Sequence, residues 1–117
     1  MKLDLREESG VGILVLSGQL TTGSDRQFRE AIDTLIESGR TNILLDFTDL
    51  DYMDSSGIGE LVAGYRTIQR LGGALKILKP SKRIQASLEL TRLLPIFEIF
   101  EDAETAIASY GPVVDPR

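Results

Sequence analysis

The sequence predicts a single α/β domain built on a mixed five-stranded sheet with four helices. Three observations support this prediction: an alternating apolar pattern on both sides of an early Gly-containing turn, a change to helical spacing after residue 24, and later apolar strands separated by helices. The first two strands should form an antiparallel hairpin, and the helical crossovers should make the later neighbours parallel. Loops at the carboxyl ends of the parallel strands are then expected to gather at one edge, where sites usually lie.

The N-terminal hairpin is predicted from alternation and a turn. Leu3, Leu5 and Glu7 alternate with other residues, which indicates a strand over residues 2–8. The segment Ser9-Gly10-Val11-Gly12 is typical of a turn, and the apolar run from Ile13 predicts a second strand that ends near Leu20.

The first helix is indicated by apolar residues at positions i, i+4, i+7 and i+8, which place them on one face. Ser24 or Asp25 is suited to cap its start, and Gly39 to end it. A buried strand should follow over residues 41–47. The helix face is Phe28, Ile32, Leu35 and Ile36.

The second helix should begin after Asp54 and stop at Gly72-Gly73. It carries an apolar stripe that we assign to the core: Ile58, Leu61, Val62, Tyr65, Ile68 and Leu71. The opposite side is expected to be a candidate surface for a partner, because small residues there permit close approach: Glu60, Ala63, Gly64 and Thr67.

The last part of the chain predicts two more strands and two more helices. Strands are expected over residues 74–78 and 96–100. Ser81 should cap a helix carrying Ile84 and Leu88, and Asp102 should cap a final one carrying Ala103, Ala106, Ile107 and Tyr110. The domain is expected to span residues 1–110, with residues 111–117 as a flexible tail.

Composition excludes several classes of function. The 117 residues include no Cys and no His, which removes thiol chemistry, thiolate metal sites and histidine acid–base catalysis. The net charge of −5 opposes binding to nucleic acid or to an anionic membrane. A magnesium or calcium site built from carboxylates alone, and acid–base chemistry by Asp or Glu, stay compatible with this composition. We predict no cofactor, no metal and no catalytic residue. Because the N-terminus lacks the apolar core of a signal peptide, we expect a cytoplasmic location.

Two Gly-containing segments fall short of nucleotide-binding motifs. Residues 18–24 resemble a phosphate-binding loop but lack its Lys and one residue of its length. Gly57-Ile58-Gly59 also follows a strand, yet Val62 stands where a dinucleotide fingerprint needs Gly or Ala. Both segments are better explained as turns at helix starts.

The tetrapeptide Asp54-Ser55-Ser56-Gly57 is the most informative segment. As structure, it is an N-cap carboxylate followed by small residues at a tight helix entry. Neither serine can act as an acyl nucleophile, since the chain has no His and the segment no Lys.

The tetrapeptide in its context resembles a STAS domain of the bacterial anti-sigma factor antagonists. The resemblance covers residues 1–110 and depends on three matched segments: Gly18-Gln19-Leu20, Asp54-Ser55-Ser56-Gly57-Ile58-Gly59 and Leu71-Gly72-Gly73. It implies a STAS-type sheet and a non-enzymatic partner switch. An unphosphorylated antagonist binds an anti-sigma factor, usually a serine kinase, and phosphorylation ends that binding until a PP2C-type serine phosphatase restores it.

Carried onto this chain, the resemblance makes Ser55 the phosphorylation site. The partner-binding residues it implies are Asp54, Ser55, Ser56 and Gly57, together with Thr21 and Thr22. One difference from the family stands at Thr21, where an acidic residue is common near the phosphorylation site; Thr supplies no such charge, which bears on recognition by a typical kinase.

Two alternatives stay open at this stage. The chain could be a STAS scaffold or sensor-complex subunit that acts by assembly without a phospho-switch, and a homo-oligomer is compatible with the sequence. A small hydrolase or nucleotide-binding protein is the other alternative, opposed by the missing residues described above. The basic segment around Lys82 and Arg83 is either a solvated loop or a contact for an acidic partner or the phosphate.

Overall fold

The computed structural model describes residues 1–111 and contains one five-stranded sheet in the order in which its strands occur along the chain. The first two strands are antiparallel and every later neighbour is parallel, so the predicted fold class is confirmed. The strands are β1 (Lys2–Glu8), β2 (Val11–Leu20), β3 (Asn42–Met53), β4 (Ala74–Leu78) and β5 (Ile99–Phe100), and the helices are α1 (Asp25–Glu37), α2 (Ser55–Arg70), α3 (Lys82–Leu90) and α4 (Ala103–Ala108). Of the tail predicted as flexible, residues 112–117 lie outside the described part.

The hairpin turn is tighter than predicted. Only Ser9 and Gly10 form it, with φ values of 53° and 82°, and Glu8 pairs with Val11. Positive φ at both central residues is what a two-residue turn needs to match the twist of the strands. Val11 and Gly12, which the sequence placed in the turn, belong to β2 and are buried.

The helices divide unequally between the two faces of the sheet. α1, α2 and α3 cover one face and bury the main core with it, including Phe28, Leu61 and Ile84. α4 lies on the other face, where Ala106 packs in a smaller cluster with Val11, Leu44 and Leu78.

β3 is longer than predicted. It was expected over residues 41–47, but it runs to Met53, and Leu50 and Met53 are almost fully buried. This extension could not be predicted from the sequence, because exposed polar residues interrupt the apolar pattern of β3 and because its pairing with β2 shifts register between Gly18 and Gln19. The extension carries the chain directly into Asp54.

The fifth strand is shorter than predicted. Residues 96–100 were expected to be extended, but only Ile99–Phe100 pair with β4. A 3-10 helix occupies Leu94–Ile96, with Pro95 within it, and Phe97 donates its N–H to the carbonyl of Leu94. Proline favours the start of such a turn and cannot donate to a strand ladder.

The predicted stripe of α2 is correct for most of its members. Leu61 and Ile68 are fully buried, and Ile58 and Tyr65 pack against the same core. Leu71 was wrongly assigned to the core: it follows the last residue of the helix and is 51% exposed. The two glycines after it stop the helix as expected, and Gly72 has a φ of 82°.

Candidate functional site

Asp54 is the N-cap of α2 and satisfies one of the free donors of its first turn. Its backbone is extended, and its Oδ1 accepts the N–H of Gly57 at 2.9 Å. An Asp in this position meets one of the four backbone N–H groups that a helix start leaves unpaired. The capping role inferred from the sequence is therefore confirmed.

The other oxygen of the same carboxylate joins a second loop to the helix start. Asp54 Oδ2 accepts the backbone N–H of Thr22 at 3.0 Å and its hydroxyl at 3.1 Å. The hydroxyl oxygens of Thr22 and Ser56 also lie 3.0 Å apart. Because one hydroxyl carries one proton, a Thr22 that donates to Asp54 accepts from Ser56. The loop between β2 and α1 and the start of α2 thus form one surface.

These hydrogen bonds hold Asp54 in its charged form. The N–H of Gly57, then the N–H and hydroxyl of Thr22, lower the pKa of the Asp54 carboxyl below its usual range. Donors that point at a carboxylate favour ionisation in this way. The site consequently carries one fixed negative charge at neutral pH.

The two serines of the tetrapeptide differ in availability. Ser55 is exposed, and its hydroxyl has no hydrogen-bond partner within residues 1–111. Ser56 is half-buried and its hydroxyl is engaged with Thr22. Ser55 therefore offers the more accessible alcohol, which meets the condition that a modification site must satisfy first.

Gly57 is required by the close approach of β2. A Cβ at this position would lie 2.1 Å from the carbonyl oxygen of Leu20, a backbone atom that cannot swing aside. The same oxygen accepts the N–H of Asp54 at 3.2 Å. Leu20 thus shapes the site, and nothing in the local sequence signals this, since the contact joins residues more than thirty positions apart.

Thr21 does not contact the tetrapeptide through its side chain in the hydrogen bonds of the described residues. Its main chain instead closes the turn before α1: its carbonyl accepts the N–H of Ser24 at 2.9 Å and of Asp25 at 2.7 Å, and its N–H donates to Ser24 Oγ at 3.0 Å. Of the two threonines named from the sequence, the structure brings Thr22 to the site.

The basic segment after β4 lies near the same edge. The Arg83 guanidinium carbon is 4.8 Å from the ring centre of Tyr52, which precedes Asp54 by two residues. Lys82 is exposed beside it. An Arg stacked on an aromatic face is held in place while its donors stay accessible.

The side of α2 that the sequence offered as a partner surface faces α1 in part. Gly64 is buried, and a Cβ there would lie 3.8 Å from both Phe28 and Ile32. The Glu60 carboxylate pairs with the Arg29 guanidinium, which lowers the pKa of Glu60. α1 therefore packs against this side at Gly64, where the expectation of an accessible surface was wrong, while Ala63 on the same side is exposed.

Two structural features do not occur within residues 1–111. Among residues 1–111, no three Asp or Glu side chains come together in a way that could hold a metal ion. In the same range, the longest helices are too short or too polar to cross a bilayer.

The fold and the site together define a STAS domain. Residues 2–106 match the STAS domain family, and the chain belongs to that family. An anti-sigma F factor antagonist of Paenibacillus polymyxa is 26% identical over 108 residues, which cover 92% of each chain. An anti-sigma-B factor antagonist of Bacillus subtilis is 25% identical over 92% of this chain and 97% of its own.

Solved structures agree with these relatives. The anti-sigma factor antagonist SpoIIAA in its unphosphorylated form superposes with a TM-score of 0.82 at 27% identity, over 97% of this chain and all of that one. The phosphorylated form of SpoIIAA from Bacillus superposes with a TM-score of 0.73 at 27% identity, over 92% of this chain and 98% of that one. These two relatives and two structures are all named anti-sigma factor antagonists or forms of one.

Proposed function

We propose that this protein is an anti-sigma factor antagonist whose binding is switched by phosphorylation of Ser55. Unphosphorylated, it binds an anti-sigma factor of the serine kinase type and so releases the sigma factor. The kinase phosphorylates Ser55 and ends the interaction, and a PP2C-type serine phosphatase restores it. The observation that supports this proposal is the exposed, unengaged hydroxyl of Ser55 at the first turn of α2, beside an engaged Ser56.

The partner is proposed to dock on the surface that Asp54 holds together. That surface combines the start of α2, residues 54–57, with the loop that carries Thr21 and Thr22. Its side chains are small, so a partner backbone can approach closely. The protein acts as a binding module and supplies no catalytic group of its own. Because the kinase uses ATP, we propose that phosphorylation of Ser55 takes place in the cytoplasm.

The switch is proposed to work by charge. Phosphorylation adds about −1.5 to −2 charge units. This added charge on Ser55 would lie beside the ionised carboxylate of the preceding residue, Asp54. A partner packed there would bury a dianion without a matching cation, which costs several kcal/mol. A loss of about 2.7 kcal/mol already weakens binding about a hundredfold.

The fold should tolerate this change. The phosphoryl group lies at the positive end of the α2 dipole, where negative charge is favourable. We therefore expect the free and phosphorylated forms to have superposable backbones, as determined by NMR or crystallography. A melted α2 in the phosphorylated form would contradict a switch that works through charge.

The test uses a serine-kinase anti-sigma factor from the same organism. The chain is incubated with this kinase and ATP, and the product is analysed by intact mass and by mapping of the modified residue. Ser56→Ala, which keeps Ser55, is the matched control for Ser55→Ala. We expect one phosphoryl group on the wild type and on Ser56→Ala, and none on Ser55→Ala.

A binding titration completes the test. The unphosphorylated chain should bind the kinase, and the phosphorylated chain should bind at least about a hundredfold more weakly. Modification that persists in Ser55→Ala would refute the assignment of the acceptor. Absence of both binding and modification, together with a large assembly of the pure protein, would favour the scaffold function.

A further inference from the structure

The strand β1 is the long edge of the sheet. Within residues 1–111, it pairs with β2 on one side and with no strand on the other. Six of its seven residues are exposed, and Leu5, which lies on the face covered by α1, is 42% exposed. An uncovered edge of this length is a template for pairing with another strand.

The hairpin turn determines which backbone groups of β1 are free. In a two-residue turn, the flanking residues exchange both hydrogen bonds, and here these are Glu8 and Val11. Every second residue before Glu8 has the same orientation, so the even-numbered residues of β1 point their N–H and C=O groups at β2. Leu3, Leu5 and Glu7 therefore point theirs at the open edge.

We propose that this edge pairs with the same edge of a second copy of the chain, in an antiparallel register centred on Leu5. A two-fold dimer requires the same strand to meet itself, so the two β1 strands must run in opposite directions. With Leu5 opposite Leu5 of the second copy, the outward-pointing residues of both strands form the hydrogen-bonded pairs. The apolar Leu5 side chains cover each other on the helical face.

The charges of β1 favour this register. The even side chains lie on the other face of the sheet, alternating in sign along the strand as Lys2, Asp4, Arg6 and Glu8. Centred on Leu5, Asp4 faces Arg6 of the second copy, and Lys2 faces Glu8 of the second copy. These are the non-hydrogen-bonded pairs, in which facing side chains come closest. Every charged pair on this face is therefore one of opposite sign.

The neighbouring registers bring like charges together. A shift of the pairing by two residues in one direction puts Asp4 opposite Asp4 and Lys2 opposite Arg6. The same shift in the other direction puts Arg6 opposite Arg6 and Asp4 opposite Glu8. Slips by one residue are excluded as well, because they turn the free backbone groups away from each other. Charge and hydrogen bonding thus select the same register.

The dimer would have a defined shape and strength. A continuous ten-stranded sheet would form. Because the two β1 strands run in opposite directions, the Ser55 sites of the two copies would lie at opposite ends of the strands. β2 separates β1 from β3 in each copy, so both sites stay accessible. An interface of two seven-residue strands is smaller than about 1,200 Å², which is the range of weak, transient association.

The test is a charge exchange measured by sedimentation equilibrium on the full chain, from about 10 μM to about 1 mM. The wild type should show a monomer–dimer equilibrium that weakens with salt. Asp4→Arg and Arg6→Asp should each dimerise at least about tenfold more weakly, because each places like charges opposite one another. Mixed in equal amounts, the two variants should associate again, since each then faces the opposite sign.

Two further variants complete the design. Arg66→Asp, an exposed change of equal charge on α2, should dimerise as the wild type does. Leu5→Pro removes a free N–H without touching the β1–β2 ladder and should be monomeric while retaining its circular dichroism spectrum. A wild type that stays monomeric up to the highest concentration would overturn the proposal. So would dimers that survive Arg6→Asp, or variants that fail to associate when mixed.

Discussion

Replacing Gly57 by Ala tests how closely β2 approaches the start of α2. A Cβ at position 57 would lie 2.1 Å from the carbonyl oxygen of Leu20 and 2.8 Å from its carbonyl carbon. Ordinary contact begins at 3.4 Å, so the helix start must move by about 1.3 Å away from β2. Such a movement would weaken the hydrogen bond from Asp54 N–H to the same oxygen, which is 3.2 Å long.

The expected loss follows from two opposing effects. Forcing an extra methyl group into a packed position costs about 1–3 kcal/mol, and more where backbone must shift. Alanine in place of glycine in a helix contributes about 0.5–1 kcal/mol in the other direction. Because the clashing atom is backbone, the steric cost lies at the upper end of this range, and we expect Gly57→Ala to lower the free energy of unfolding by about 2 kcal/mol.

Gly59 provides the matched control, two residues further along the same helix. No atom lies within 4 Å of a Cβ built there, so Gly59→Ala should show only the helical gain and raise the free energy of unfolding. Urea denaturation followed by circular dichroism measures both variants. With an m value of about 2 kcal/mol/M, the midpoint of Gly57→Ala should fall by about 1 M and that of Gly59→Ala should rise by about 0.25–0.5 M. A Gly57→Ala midpoint equal to or above that of the wild type would refute the steric argument.

Three further predictions concern the titration of the site and the attachment of α4. Because the pKa of Asp54 is lowered, the stabilisation by its charged carboxylate is present above about pH 4 and is lost as the pH falls through the lowered pKa. In urea denaturation across pH, Asp54→Asn should have a lower free energy of unfolding than the wild type at pH 7 and should lose less of it in acid. Burial raises the pKa of Tyr110, whose hydroxyl donates to the carbonyl of Ile43 at 2.5 Å, so the wild type should lose stability as the pH rises above about 10. In the same measurement, Tyr110→Phe should be less stable than the wild type at neutral pH and should lose less stability in alkali. The buried Nζ of Lys76 donates to the carbonyl and hydroxyl oxygens of Ser109, so Lys76→Met should raise amide exchange in α4 while exchange in α2 stays unchanged.

The features that the sequence predicted well are local ones. Ser81 accepts the N–H of Ile84, and Asp102 accepts the N–H of Thr105, as their positions before apolar helical stretches predicted. The hairpin and the order of strands and helices also follow from periodicity within short windows. Caps and periods need no knowledge of the rest of the chain, which is why most of them could be derived from the sequence. The exception is Ser24, which occupies the N-cap position of α1 but makes no side-chain cap hydrogen bond.

The features that the sequence predicted poorly depend on contacts between distant segments. β3 continues past residue 47 because β2 runs alongside it to Leu20, an extension that the polar residues of β3 conceal. The choice between Thr21 and Thr22 is of the same kind. The buried Ser24 hydroxyl donates to the carbonyl of Gln19 at 2.7 Å and closes the turn, and this turn directs Thr22 toward a carboxylate 32 positions later. No local pattern distinguishes two adjacent threonines.

The position of Asp54 constrains how the proposed switch can operate. A phosphoryl group at a helix start commonly finds the free N–H groups of the first turn. In this site the N–H of Gly57 is already bound to Asp54, and the same carboxylate holds Thr22. A phosphoryl group on Ser55 could take that donor only by displacing Asp54 and releasing the β2–α1 loop. Since both groups are anionic, the exchange brings no gain in charge. The phosphoryl group should therefore leave the Gly57 N–H to Asp54 and stay at the exposed surface of the first turn, where it obstructs a docking partner and leaves the fold unchanged.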